Sequence, residues 1–226
     1  MKKSYKIQPF LLIEKPVFAS IKDPDLVKNK DKVWVGYNLR FNPLVKMTKR
    51  YISAYPSQPI KATFLCESDA RTWRPGNYLN RVSFNPELGG GCLNELSHEI
   101  DLMYFLFAPS KHSINENDLK FEDYGLGLVD TSAKFSLNAE NLKCDFTLNI
   151  ASEVNERFFK VYFHDGTYIK CDIKLGSISG NIEFEQEFSS NHPYIEQLWF
   201  CNSPDFSTNY TDALKVAQII KELKGC

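Results

Sequence analysis

The 226-residue sequence predicts an α+β fold, a large, mostly antiparallel open sheet with helices on one face. Three patterns carry that reading. From Phe121 to about Phe188 apolar and polar residues alternate with a period of two, the spacing of strands that bury one face. Around this block lie three segments, near 43–54, 94–107 and 211–223, whose apolar residues recur at helical spacing. Hydrophobic residues make up 43% of the chain, enough for a core. Lys+Arg 27 nearly cancels Asp+Glu 28, which excludes a disordered acidic chain and a basic nucleic-acid binder.

The elements follow in order. Met1-Lys2-Lys3 has the outline of a secretion signal, but the apolar run Phe10 to Ile13 stops at Glu14-Lys15. That is too short for a signal core or a membrane span, so a cytoplasmic protein without membrane contact is expected. Ile7 to Ile13 reads as a short buried strand, and Val33 to Leu39 as a second. Asn42-Pro43 supplies a helix cap and a first-turn proline, after which Leu44, Val45, Met47, Thr48, Tyr51 and Ile52 share one helical face. Pro56 and Pro59 end that helix, and Ile60 to Glu67 is a strand.

Residues 68–91 show little periodicity but hold Trp73, Arg74, Pro75, Tyr78, Pro86 and Gly89-Gly90-Gly91, a long ordered loop of the kind that is usually functional. Leu93, Leu96, Ile100, Met103 and Phe107 then form the buried stripe of one helix, and Asn94, His98 and Asp101 a second stripe. The period-two block divides into strands at 121–130, 132–138, 142–151, 157–164, 167–173 and 181–187, with hairpin turns at Asn138–Asn141 and His164–Gly166. The tail returns to helix at 193–200 and 211–223.

Few segments carry recognisable chemistry. Gly125-Leu126-Gly127 starts like a dinucleotide fingerprint but lacks the third glycine and runs into a strand rather than a helix. Gly89-Gly90-Gly91 does open a helix, and reads equally as an anion site or as a tight turn beneath a neighbouring segment. No metal is expected: Leu102 stands where a zincin needs its second histidine, and Glu95 with His98 makes one Glu-x-x-His where a di-iron bundle needs two. The six cysteines form no C-x-x-C pair and read as reduced structural thiols, and the sequon at Asn209 means nothing in a cytoplasmic chain. His98 is the best acid–base candidate, its tautomer fixed by Asn94 or Asp101, with a satisfied core histidine as the alternative. Lys15, closing a strand and held extended by Pro16, is either desolvated for proton transfer or snorkels to water.

Three segments in register resemble the C-terminal two-thirds of the glucose-fructose oxidoreductase and inositol dehydrogenase (Gfo/Idh/MocA) family. They are Glu14-Lys15-Pro16, Gly36-Tyr37-Asn38-Leu39-Arg40-Phe41-Asn42-Pro43, and the stretch from Gly89 through Asn94 and His98 to Asp101. The resemblance implies a dihydrodipicolinate-reductase-like C-terminal domain over 17–226, for substrate binding and oligomerisation, preceded at 1–16 by the remnant of a dinucleotide-binding Rossmann domain. It implies NAD(P)-dependent hydride transfer at a sugar, sugar-nucleotide or polyol carbon, in surface-glycan metabolism. Lys15, His98 and Asn94 would be catalytic, Arg40, Trp73, Arg74, Tyr78 and Asp101 would bind substrate, with the arginines at the rim, and Glu14 and Pro16 would meet NAD or NADP. A cis Lys15–Pro16 bond is implied too.

Asn94 stands where the family commonly has aspartate. It can orient a substrate but cannot accept a proton, which leaves Lys15 as the acceptor. The family's glycine-rich phosphate loop and acidic ribose ligand are missing from this sequence, so tight NAD(P) binding by this chain alone is not expected. Two readings follow: a substrate domain whose cofactor domain is missing or separately encoded, or a non-catalytic scaffold that kept the fold. Expected partners are a sugar, a second copy against the open sheet face, and a separate Rossmann domain, with no nucleic acid and no membrane.

Overall fold

The computed structural model describes residues 10–17, 29–78, 81–181, 192–203 and 205–225. Seven strands make the main sheet: β3 (Pro59–Asp69), β4 (His112–Asp123), β5 (Leu128–Ala139), β6 (Leu142–Asn149), β7 (Ala151–Phe163), β8 (Tyr168–Asp172) and β9 (Ser177–Gly180). Their order is β4-β5-β6-β3-β7-β8-β9, and every neighbouring pair is antiparallel except β3 with β6. The earliest of these strands in the chain is therefore the central one. Its inward residues Ala62, Phe64 and Cys66 are buried, and Phe64 stands in register with Phe146 of β6 and Phe159 of β7. Ring centroids 4.8 Å apart for Phe64–Phe146 and 4.6 Å for Phe146–Phe135 extend this row onto β5. Each such pair contributes about 0.5–1.5 kcal/mol beyond burial.

That face is covered by helices, as expected. α1 (Pro43–Ala54), α3 (Ser97–Phe107) and α5 (Tyr210–Lys224) set Leu44 and Ile52, Ile100 and Met103, and Val216 and Ile219 into one core with the sheet. Asn42 caps α1, its Oδ1 accepting from the amide of Leu44 at 2.9 Å. The opposite face is not simply apolar. Lysine stems lie over its rings, with Lys160 Nζ 3.8 Å from the Tyr168 ring centre and Lys170 Nζ 4.1 Å from that of Phe158. The charged heads stay in water while the stems cover aromatic surface.

Several strand boundaries differ from expectation: β4 starts at His112 and β7 at Ala151, ahead of the expected 121 and 157, and β9 (Ser177–Gly180) lies where no strand is expected. The segment 121–130 is not one strand: β4 ends at Asp123 and β5 starts at Leu128, because Gly125 (φ +88°) and Gly127 (φ +109°) turn the chain back. Asp123 Oδ1 accepts from both glycine amides, at 2.7 and 3.1 Å. Apolar alternation through Tyr124, Leu126 and Leu128 hides this turn. Similarly, the strand expected over 33–39 is β2 (Val33–Val35) alone, since the Tyr37 amide turns back onto the Val35 carbonyl at 2.6 Å. Residues 7–9 and 182–187, also expected in strands, lie outside the described residues.

β1 (Leu11–Ile13) pairs in parallel with β2 to form a separate small sheet, which joins residues on both sides of the expected 16/17 boundary. The far edge of β2 is closed by side chains. Asn209 Oδ1 accepts from the Val35 amide at 2.7 Å and its Nδ2 donates to the Val35 carbonyl at 2.9 Å, while Thr208 Oγ1 donates to the Val33 carbonyl. The sequon asparagine thus acts as a substitute strand, and is only 2% exposed. Trp34, Phe41, Phe200 and Phe206 cluster beneath, with Phe10 against Phe206. Above them α4 (Pro193–Cys201) exposes Tyr194, Ile195, Leu198 and Trp199, and β1 exposes Leu11 and Leu12. The five described cysteines are free and buried.

Candidate active site at the start of α3

The single helix expected over 94–107 is broken. α2 (Cys92–Glu95) ends early, Leu96 takes φ −100° and ψ 23°, and α3 begins at Ser97. The stripe shared by Asn94, His98 and Asp101 therefore does not exist as one helical face.

The break is held from beneath. Gly91 has φ +108° and sits on Asp130 of β5, where a Cβ would overlap Oδ1, and a Cβ on Gly90 would overlap the Val82 carbonyl. Asp130 accepts from the Leu93 amide at 2.8 Å and from Lys224 Nζ at 2.7 Å. The glycine triplet is thus a tight turn, and the helix-start amide already has an anion, the chain's own carboxylate. The sequence gives no sign of Asp130's part, since it reads as one more polar residue in an alternating strand.

Ending α2 early frees two carbonyls that a continuous helix would have used. Lys15 takes them: its Nζ donates to the carbonyls of Asn94 at 3.2 Å and Glu95 at 2.6 Å. The Lys15–Pro16 bond is cis. Asn94 contributes main chain here, because its side-chain Nδ2 turns back to the Gly89 carbonyl at 2.8 Å. Glu14 lies against Gly36, whose amide bonds to the Ile13 carbonyl at 2.8 Å.

His98 opens α3 with its ring edge-on to Tyr37, centroids 5.5 Å apart. Its Nδ1 is buried and has no protein partner. Asp101 does not orient the ring, because its carboxylate accepts from Arg40 Nε at 2.9 Å and Nη2 at 2.6 Å. Arg40 Nη2 also reaches Asp212 of α5 at 3.0 Å. Arg40 is therefore not a rim residue. It is 8% exposed and clamps α3 and α5 to the turn after β2, with both Arg40 and Asp101 engaged in that clamp.

What sequence reading missed is a bridge beside His98. Arg157 of β7 donates Nε to Glu99 Oε1 at 2.7 Å, across from Cys66 in the β3–β7 register. Glu99 Oε2 and Arg157 Nη2 are buried without a protein partner, like His98 Nδ1. Each such group costs about 1–3 kcal/mol, and here three fall on His98, its neighbour Glu99 and the arginine bonded to Glu99, while Trp34, Tyr37, Ser136 and Gln197 each hold one more among the described residues. A carboxylate next to a histidine and an arginine in a polar half-strand each resemble ordinary surface charge; only strand register brings them together.

The remaining expected rim residues gather in their own loop. Trp73 Nε1 donates to Ser68 at 3.0 Å, Tyr78 packs on Phe84 and Tyr124 at 5.3 and 6.2 Å, and Arg81 ties the loop by donating to the carbonyls of Ala70, Arg71, Arg74 and Gly76. Among the described residues no hydrogen bond or ring contact joins Trp73, Arg74 or Tyr78 to Lys15, Asn94 or His98.

Electrostatically the site favours neutral bases. Burial lowers the Lys15 ammonium below its ordinary value, against the opposing pull of Glu95 and Glu99. Burial, then the Lys15 and Arg157 charges, hold His98 well below the usual imidazole range. In the clamp, burial raises the Asp101 carboxyl to about 6 against the pull of Arg40. A lysine with access to its neutral form beside an uncharged imidazole can take a proton from a hydroxyl and hydrogen-bond the oxygen. Among the described residues no group of His, Cys, Asp and Glu is placed to hold a metal, and no helix is long and apolar enough to cross a membrane.

No family model and no curated protein sequence matches the chain. Solved structures do. UDP-N-acetylglucosamine 3-dehydrogenase GnnA from Acidithiobacillus ferrooxidans superposes with a TM-score of 0.70 at 10% identity, covering 95% of this chain and 69% of that one. The dehydrogenase MviM from Clostridium difficile gives 0.68 at 12%, covering 96% and 71%. KijD10, a 3-ketoreductase from Actinomadura kijaniata solved with TDP-benzene and NADP, gives 0.65 at 10%, covering 85% and 62%. The fold is that of the Gfo/Idh/MocA-type oxidoreductases.

Proposed function

We propose that this chain is the substrate domain of an NAD(P)-dependent oxidoreductase that acts on a hydroxyl-bearing carbon of a sugar or sugar nucleotide, in surface-glycan metabolism. The observation that carries the reading is the placement of Lys15, at a cis proline after β1, on the carbonyls of Asn94 and Glu95 immediately before His98. In this reading neutral Lys15 accepts the proton of the substrate hydroxyl, and uncharged His98 hydrogen-bonds that oxygen and fixes its direction. Neighbours named as a UDP-N-acetylglucosamine 3-dehydrogenase and a 3-ketoreductase support this substrate class.

The described residues do not fit a dinucleotide by themselves. The α2 start is occupied by Asp130 and Gly125–Gly127 is a hairpin turn held by Asp123, so neither glycine-rich segment offers a free helix N-terminus to a pyrophosphate. Glu14, Lys15 and Pro16 would reach only the nicotinamide end. The cofactor would be carried by a Rossmann domain docked on the outer edge of β1 and the apolar side of α4. Parallel sheets are normally covered on both faces, and Leu11, at 53% exposure, is not. Residues 10–16 would then belong to that domain's sheet, and the lysine–aromatic face would meet a second copy.

Saturation-transfer NMR with UDP-N-acetylglucosamine, free N-acetylglucosamine and inositol tests the reading. Transfer to sugar protons is expected, lost in Lys15→Met and His98→Asn, together with no saturable NADH binding in nicotinamide fluorescence. Transfer unchanged by both substitutions, or absent from every sugar, counts against it. Sedimentation of the same samples reads the pairing, where a monomer at micromolar concentration would contradict it.

A further inference from the structure

We propose that Glu99 and Arg157 are positioning residues for His98, a buried bridge that fixes the ring and the charge it faces. The inference rests on the reading of His98 as a substrate-facing group, but its geometry and its test do not. Arg157 comes from β7 and Glu99 from the residue after His98, so the 2.7 Å bond ties the first turn of α3 to the sheet at the one point where the helix start lacks a side-chain cap. Only one oxygen of Glu99 and one nitrogen of Arg157 are used, and the unused Oε2 and Nη2 are buried, as is His98 Nδ1. The bridge therefore leaves bonding capacity unused on both partners. By contrast, the carboxylate of Asp101 accepts from two Arg40 nitrogens.

The ring of Tyr37, after β2, lies edge-on to His98, and the charges that act on the imidazole are those of Lys15 after β1 and Arg157 of β7, while Glu95 of α2 and Glu99 of α3 act on Lys15. Cys66 of β3 is buried behind them as a neutral thiol, burial having raised it to about 12. Two cations therefore act on one ring, and each has a carboxylate of its own, Glu95 and Glu99 for Lys15 and Glu99 for Arg157. With the bridge intact, Glu99 is engaged by Arg157, and the ring feels the Lys15 and Arg157 charges more than the carboxylate. Removing Arg157 takes away one of the two cations that disfavour a charged ring and leaves Glu99, the next residue along α3, without its partner, and both changes favour the protonated imidazole.

The test is a pH titration of the His98 ring by long-range proton–nitrogen NMR on the chain alone, with His98→Asn identifying its signals. Wild type should keep an uncharged ring in one tautomer from pH 8 to pH 5. Arg157→Gln should raise the midpoint by at least a unit, a tenfold gain in proton affinity, and populate both tautomers. Arg157→Lys, which keeps the charge, should restore the wild-type curve. Should Arg157→Gln fail to fold, the double variant Glu99→Gln/Arg157→Met removes both charges with bulk retained, and a raised midpoint is again expected. Titration identical to wild type in whichever variant folds overturns the proposal. No substrate or cofactor is present in any sample, so failure of the sugar reading leaves this result standing, and the reverse.

Discussion

The α2–α3 junction buries charge on both sides, and the two sides do it differently. Beneath it, Asp130 is matched by the Leu93 amide and Lys224, and nearby Arg40 is matched by Asp101 and Asp212. Above it, Lys15 holds carbonyls that the helix break released, while His98, Glu99 and Arg157 each keep a buried polar atom without a protein partner. Burial alone thus does not separate structure from function in this molecule. The two sides differ in completeness: the Asp130 and Arg40 charges are fully engaged, and the His98, Glu99 and Arg157 side keeps unused bonding capacity.

Three substitutions sharpen that contrast. The largest effect is expected at Gly91, whose backbone (φ +108°, ψ 158°) is nearly exclusive to glycine. Alanine there adds about 1–3 kcal/mol of strain and about 1–3 kcal/mol of overpacking against Asp130. Urea unfolding should show a loss near 4 kcal/mol, or no cooperative transition, and a loss under 1 kcal/mol would mean the junction yields easily. Next is Arg40→Met, which strands Asp101 in the core and should cost about 3–4 kcal/mol. Adding Asp101→Leu should recover most of it; a double variant as unstable as the single would show that the clamp's geometry, not its charge, holds α3 to α5.

The smallest effect belongs to the open side. His98→Asn should change stability by under about 1 kcal/mol at pH 7.5, since the buried Nδ1 has no hydrogen bond to lose. Its signature is in the pH dependence. His98 is held well below its ordinary value of 6.5 in the folded chain, so below pH 6.5 the unfolded chain takes up a proton that the folded chain does not. Stability from this group is present above 6.5 and lost as pH falls toward the folded value. Denaturation midpoints at pH 7.5, 6.5 and 5.5 should fall more steeply in wild type than in His98→Asn, and parallel curves would show that the ring is free to charge.

Much of this was legible in the chain. Period-two alternation found the sheet, apolar stripes found α1 and α5, and the Glu14–Pro16 and Gly89–Asp101 segments pointed to Lys15 and His98. Some errors share a cause. The 121–130 strand and the unbroken 94–107 helix were read from apolar spacing, which passes undisturbed through Gly125–Gly127 and through Leu96. Spacing records which side chains are buried, not where the backbone turns.

Local sequence determined the secondary elements, because caps, turn glycines and apolar periods act over a few residues. Tertiary structure alone decided what each charge does. Asp101, three residues after His98, looks like its partner but binds Arg40, 61 residues away, and Arg157, 58 residues from Glu99, bonds to that carboxylate. Those pairings follow from β3 inserting between β6 and β7 and from Asp130 ending α2 early. Strand order and the junction it supports depend on packing across the whole sheet, and no window of sequence contains that information.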